Sequence, residues 1–280
     1  MTARSAGAHH DGDLTAALPA GGTLLRSFDL TGRAAVVTGG HGDLAESIAG
    51  ALAELGCDVA LAARRVDACD ELAHRLESGY GVRALAFAAD VAREDDVERL
   101  MARAVAELGS IDVLVNSAAT FWSAPAEDVP LERGWQRVLD VNLTGTFLAC
   151  RAAGRAMLRA GGGSIVNVAA TGGLKSFLPE LGPNLSYTTS KAAVVKLTRD
   201  LAAQWADRGV RVNAIAPGSI AGGMMRSLPE DKLAPMVAAI PMRRQGRPHE
   251  LRGAVAYLAS DASSYVTGSV LVVDGGQSIV

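Results

Sequence analysis

The run Val36-Val37-Thr38-Gly39-Gly40-His41-Gly42-Asp43-Leu44-Ala45 passes from β-branched residues through three glycines into a helical pattern. A strand, a glycine turn and a helix in that order aim backbone N–H groups and the positive end of a helix dipole at one spot, which suits a phosphate. Glycine turns are common, so context decides what this one means. From Gly32 onward, short apolar runs alternate with helical patterns of about ten to twenty residues. Strands are predicted at 34–37, 58–62, 83–87, 111–115, 164–168, 211–215 and 270–273, and helices at 44–55, 66–78, 94–108, 135–159, 186–207 and 250–260. This rhythm predicts an α/β, Rossmann-type, doubly wound fold: a seven-stranded parallel sheet with helices on both faces. Ligands of such sheets sit beyond the carboxyl ends of the strands, where the glycine run falls.

The chain has 280 residues, 49% of them apolar, and a net charge of −3. That composition supports a sizeable core and gives no general attraction for nucleic acid or acidic membranes. No long apolar run follows a basic start, so neither export nor a membrane anchor is expected, and the protein reads as cytoplasmic. Cys57, Cys69 and Cys150 lack any metal-ligand or CxxC spacing and read as reduced core residues; no metal site is expected. Residues 1–27, with His9 and His10 at their centre, read as a flexible extension. Residues 28–280 read as a single nucleotide-binding domain. Within it, 219–248 breaks the rhythm with Gly222, Gly223, several prolines and Met224, Met225, Met236 and Met242, and is expected to form a flexible lid.

Tyr187-Thr-Thr-Ser-Lys191 places a phenol and an ammonium four residues apart, on one face of a helix. A nearby ammonium favours the phenolate and is expected to lower the tyrosine pKa toward neutrality, making it a proton donor and acceptor. At the tip of the second strand, Ala62-Ala63-Arg64-Arg65 carries no carboxylate to take ribose hydroxyls. Arg64, with Arg65 or His41 assisting, is instead placed to hold a 2′-phosphate, which favours NADP over NAD.

Taken together, these motifs resemble the short-chain dehydrogenase/reductase family over most of residues 28–280. Thr38, Gly39 and Gly40 match the start of its Thr-Gly-x-x-x-Gly-x-Gly turn, but Asp43 and Ala45 stand at the later glycine positions. Gly42 is expected to take over the close approach, and Asp43 to cap its helix facing away from the ligand. Asp90-Val91 resembles the family's adenine-contacting pair and Asn116-Ser117-Ala118-Ala119 its Asn-Asn-Ala-Gly. Pro217-Gly218-Ser219-Ile220 resembles the loop over the nicotinamide, with Gly222 where a threonine is common. Tyr257-Leu258-Ala259-Ser260-Asp261 and Val272-Val273-Asp274-Gly275-Gly276 resemble family endings.

The resemblance implies that Tyr187 is the acid/base for a carbonyl, that Lys191 holds the nicotinamide ribose and lowers the Tyr187 pKa, and that Asn142 supports a water relay. It also implies a homotetramer built on the helices at 135–159 and 186–207. The family's carbonyl-holding serine is absent. Counting from the fifth strand puts Ala170 there, and counting back from Tyr187 puts Leu174 there. Thr171, next to the strand end, is the first candidate to replace its hydroxyl and Ser176 the second. The expected function is NADP(H)-dependent interconversion of a ketone and a secondary alcohol on a small molecule. Two alternatives stay open: a non-redox isomerase or cyclase using Tyr187 as an acid, and a nucleotide-binding protein without turnover.

Overall fold

The computed structural model describes residues 23–177, 183–226 and 229–280. Seven strands form one parallel sheet: β1 (Ala34–Thr38), β2 (Asp58–Ala63), β3 (Ala84–Ala88), β4 (Val113–Asn116), β5 (Gly163–Val168), β6 (Val210–Pro217) and β7 (Val270–Val273). Their order is β3-β2-β1-β4-β5-β6-β7. The order reverses between β1 and β4, which pair with Val36 opposite Leu114, and a crevice opens at that switch point. Each strand matches its prediction to within about two residues.

Side chains alternate across the sheet, and both faces are apolar because both are covered. Ala35 and Val37 of β1 pack with Ile48 and Leu52 of α1 (Asp43–Glu54), Leu72 and Leu76 of α2 (Asp67–Tyr80) and Val255 and Leu258 of α7 (Arg252–Ala259). Ala34 and Val36 face the other way. They meet Val97 and Leu100 of α3 (Glu94–Leu108), Leu148 and Met157 of α4 (Gly145–Ala160) and Leu201 of α5 (Leu185–Trp205). Cys57, Cys69 and Cys150 are free thiols buried in these layers, and burial pushes Cys69 and Cys150 up to about 11 and about 12. Among the described residues, no helix is long and apolar enough to cross a membrane.

Three expectations change. The helix predicted at 135–159 begins earlier, and its first part has wide π-type turns at Leu131–Gln136 and Asp140–Thr144 before α4 proper. The second of these holds Asn142, in keeping with the tendency of such turns to fall at functional places. The stretch expected to be a flexible lid is partly built: a turn at Gly223–Met225 precedes α6 (Glu230–Ala238), and Ile240 is fully buried beyond it. Finally, a helical turn at Thr23–Arg26 falls within the residues expected to form a flexible extension, and the Ser27 carbonyl that follows accepts from the Ala262 N–H. The His9–His10 pair lies outside the described residues.

Candidate active site

The carboxyl ends of β1, β4, β5 and β6 surround a cleft of about 860 Å³. Gly39, His41, Gly42, Asp43 and Leu44 form one wall, Pro217, Gly218 and Ile220 another, and Thr171, Tyr187 and Lys191 the floor beside Ala170. Eleven of the residues expected to act together thus line this cleft, drawn from the ends of β1, β5 and β6 and from α5. Asp90, Val91, Asn116, Asn142 and Arg64 are not in the wall.

The glycine turn is shaped for close approach. Gly39 has φ +70°, and a Cβ there would lie 2.7 Å from the Ala118 backbone, so the loops after β1 and β4 touch only because the side chain is missing. Gly42 is the N-cap of α1 and has no side-chain oxygen to offer, which leaves the first-turn N–H groups without a side-chain acceptor. A dinucleotide phosphate fits this cradle.

Asp43 departs from its expected role. It caps nothing: its Oδ2 accepts from the Gly223 N–H at 3.0 Å, and the Arg226 guanidinium reaches both carboxylate oxygens at 3.0 and 2.7 Å. The carboxylate therefore faces the lid turn and fastens it to the glycine loop. Gly222 makes room for this contact, since a Cβ there would fall inside the Asp43 carboxylate.

At the tip of β2 it is Arg65, rather than Arg64, that joins the cleft wall, with its guanidinium 3.5 Å from His41 Nε2. Burial, then the Arg65 and Arg64 charges, hold the His41 pKa below its ordinary value. Neither arginine has a carboxylate partner among the described residues. Asp90 is engaged elsewhere, accepting from the Ala92 N–H at 3.0 Å and lying 3.4 Å from Arg137, while Val91 packs against Gly145.

Asn116 and Asn142 are buried clamps. Asn116 Nδ2 donates to Asn167 Oδ1 at 2.9 Å and ties β4 to β5 beneath the cleft. Asn142 donates to the Thr120 carbonyl at 2.9 Å and to Ser190 Oγ at 3.0 Å, and accepts from the Thr120 N–H at 2.8 Å. Both of its amide protons are engaged, so the water relay expected of Asn142 finds no free donor on its side chain. Its backbone carbonyl accepts the Thr146 hydroxyl at 2.7 Å.

Tyr187 and Lys191 lie one turn apart on α5, with the Lys191 Nζ 5.7 Å from the centre of the Tyr187 ring. The expected lowering of the tyrosine pKa is reversed: burial raises the Tyr187 phenol to about 12 and lowers Lys191 to about 8. The cause is burial of both groups: Lys191 is only 2% exposed and donates one Nζ proton to the Val168 carbonyl at 2.6 Å. Thr171 is equally committed, its hydroxyl donating to the Pro217 carbonyl at 3.0 Å. As placed, Thr171 joins the loops after β5 and β6 and has no proton left for a substrate oxygen. Ser176 and Leu174 are exposed and outside the wall.

Gln277 was not anticipated. It reaches the cleft from the turn after β7 and is 8% exposed there. A lone glutamine three residues from the chain end carries no sequence signal for such a place.

The arrangement can hold a dinucleotide against the α1 N-terminus and bring a carbonyl or hydroxyl to Tyr187. Comparison with known proteins shows the family to which the chain belongs. The family model described as enoyl-(acyl carrier protein) reductase matches residues 41–278. A cis-4-hydroxycyclohexanecarboxylate dehydrogenase of Sinomonas cyclohexanicum is 41% identical over 251 residues, covering 89% of this chain and 97% of the relative. A short-chain type dehydrogenase/reductase from Mycobacterium marinum superposes with a TM-score of 0.85 at 40% identity, covering 92% of this chain and 99% of that one. An NADPH-dependent 3-quinuclidinone reductase from Rhodotorula rubra gives a TM-score of 0.85 at 30% identity, covering 96% and 100%. With the sheet order, the glycine cradle and the Tyr187–Lys191 turn meeting in one cleft, this chain belongs to the short-chain dehydrogenase/reductase family of enzymes.

Proposed function

We propose that this protein is an NADP(H)-dependent oxidoreductase that interconverts a ketone and a secondary alcohol, with Tyr187 as general acid/base. The observation that carries the reading is the meeting of Tyr187 and Lys191 with the open α1 N-terminus across one cleft. When bound, NADP(H) supplies or takes up the hydride at the substrate carbon. The chain's own residues manage position and the proton. Gly39, Gly42, Leu44, Pro217, Gly218 and Ile220 form the walls that orient the dinucleotide. Tyr187 gives its phenolic proton to the carbonyl oxygen during reduction and takes it back during oxidation. Lys191, held by the Val168 carbonyl at the cleft floor, would hold the nicotinamide ribose of a bound cofactor.

The preference for NADP is supported by Arg65 and Arg64, two cations without a carboxylate partner among the described residues, with His41 beside Arg65. The NADPH dependence named for the Rhodotorula rubra relative agrees. Phe121, Phe177, Ile220, Met225 and Met236 line the outer cleft, so the substrate is a small molecule with an apolar body beside its carbonyl or hydroxyl. Asp90, Val91 and Asn116 support the adenine side from behind the wall. The same reading takes the enzyme as a cytoplasmic homotetramer.

Turnover of NADPH and of NADH with a panel of cyclic and open-chain ketones tests this. Tyr187→Phe is expected to lower kcat by about 10²–10⁴-fold with NADPH binding retained. Arg65→Ala is expected to raise KM for NADPH about tenfold, equivalent to about 1.4 kcal/mol, and to leave NADH unchanged. Substrate converted without NADPH consumed would instead support an isomerase or cyclase. Tight NADPH binding with no chemistry would support a nucleotide-binding protein without turnover.

A further inference from the structure

We propose that Arg226 is a positioning residue for dinucleotide binding: by drawing the Asp43 carboxylate onto the lid turn, it keeps that charge away from the α1 N-terminus, where a pyrophosphate would bind. The inference rests on the reading of the cleft as a dinucleotide site. Arg226 itself is not in the cleft wall, whereas Asp43 and Gly223 are, so it acts through Asp43 and not by touching the ligand.

The need for such a residue follows from where Asp43 stands. It is the first residue of α1, directly after the N-cap Gly42, so its own backbone N–H is one of the first-turn donors of the cradle. Covalent geometry keeps an aspartate carboxylate within about 5 Å of the nitrogen of its own residue. A free carboxylate at that place has two effects, both adverse to phosphate. It repels a second anion at short range, and the helix dipole draws it toward the same first-turn N–H groups that the ligand needs. An anion from outside then competes with one that the chain carries.

The structure shows the carboxylate engaged on the opposite side. Its Oδ2 accepts from the Gly223 N–H at 3.0 Å, and Arg226 Nη2 reaches Oδ1 at 3.0 Å and Oδ2 at 2.7 Å. No side chain caps α1, so its first-turn N–H groups stay open to a ligand. The guanidinium cancels the charge as well as turning it. Glu46, the other acidic residue of that first turn, is answered in the same way by Arg75 at 2.9 Å. The lid turn delivers Arg226 to this place. Gly223–Met225 forms the turn and Arg226 ends it, while Gly222 has no Cβ to stand 2.2 Å from the Asp43 Oδ2. Its base is pinned where the Ala221 N–H donates to the Gly246 carbonyl at 2.8 Å and the Gly246 N–H to the Ser219 carbonyl at 3.0 Å. Arg226 and Asp43 are 73% and 36% exposed, so their pair adds little to folding and its loss is felt in binding.

The test measures dissociation constants for NADPH and NADH by titration calorimetry in the parent, Arg226→Ala, Arg226→Gln, Asp43→Asn and Asp43→Asn/Arg226→Ala. Arg226→Ala and Arg226→Gln are expected to bind both cofactors on the order of tenfold more weakly, because the pyrophosphate is common to the two. Asp43→Asn removes the carboxylate and with it the need for a partner. That variant and Asp43→Asn/Arg226→Ala are therefore expected to bind within about threefold of the parent, a recovery that a merely structural role for Arg226 does not allow. Binding by Arg226→Ala within about twofold of the parent would overturn the proposal. So would a double variant as weak as Arg226→Ala, which would mean that the guanidinium meets the ligand or only builds the lid. A loss confined to NADPH would overturn it too, since that places Arg226 at the 2′-phosphate. A parent that binds both cofactors, with Arg226→Ala unchanged, sinks the role of Arg226 and leaves the dinucleotide reading standing. A parent that binds neither removes that reading and the inference with it.

Discussion

Burial of the Lys191 amine under α5 draws its pKa from 10.5 to about 8, and this has a consequence for stability as well as for the site. Below about pH 8 the folded chain holds an ammonium in a place that disfavours it. Between about 8 and 10.5 the unfolded chain binds the proton more readily than the folded one, so stability from this group rises with pH. Replacing Lys191 with Met removes the titration. Urea unfolding of the two proteins across this range is expected to show the parent gaining on Lys191→Met as pH rises; a flat difference would mean that the amine is better solvated than its surroundings indicate. At the same scale, Tyr187 shows how spacing alone misleads. Four residues along a helix set two Cα atoms on one face, yet burial of the two groups sets the direction of both shifts.

Among the elements, the lid and the glycine turn act as a pair. Gly222 sits at φ +88°, in the left-handed region, and its missing side chain leaves the space that the Asp43 carboxylate occupies. Gly222→Ala therefore carries two penalties: the conformational one, about 1–2 kcal/mol, and the loss of the Asp43 contacts to Gly223 and Arg226. The exposed Asp43–Arg226 pair contributes little by itself, about 0–1 kcal/mol. In an Asp43→Gly background only the conformational part of the Gly222→Ala cost should remain. A double-mutant cycle read by denaturant unfolding is expected to give a coupling of about 0.5 kcal/mol or more, and strict additivity would show that the two positions do not depend on each other.

For the whole molecule, the resemblance to the family implies four copies, and the surface has the apolar positions such contacts use. Phe147 on α4 and Val105 on α3 are 40% and 37% exposed, and Val272 lies on β7, the edge strand of the sheet. An exposed edge strand is ordinarily covered or paired. Light scattering in dilute buffer is expected to give a mass of about 115 kDa, four times the 28.8 kDa chain. A mass equal to one chain would rule the tetramer out.

The architecture was legible in the residues because it is written in local periods. Short apolar strand runs alternate with helices of 3.6-residue period, and the glycine turn after the first strand marks the switch point. The helix α6 was not legible, because Pro229, Pro235 and Pro241 read as breakers although Pro229 serves as the cap that starts it. The site was legible in part: the motifs after β1 and β6 line the cleft, whereas Arg64, Asp90, Val91 and Asn116 lie outside its wall. Its working contacts were not. Asp43 meets Arg226 across 183 positions, Thr171 meets Pro217 across 46, and Gln277 meets Ser219 across 58. Hydrogen bonds between strand ends leave no period in the chain, and burial changes a pKa only after distant segments have closed over the group. Which proton is free to act was therefore decided by tertiary packing, while the place where it acts was already present in the order of residues.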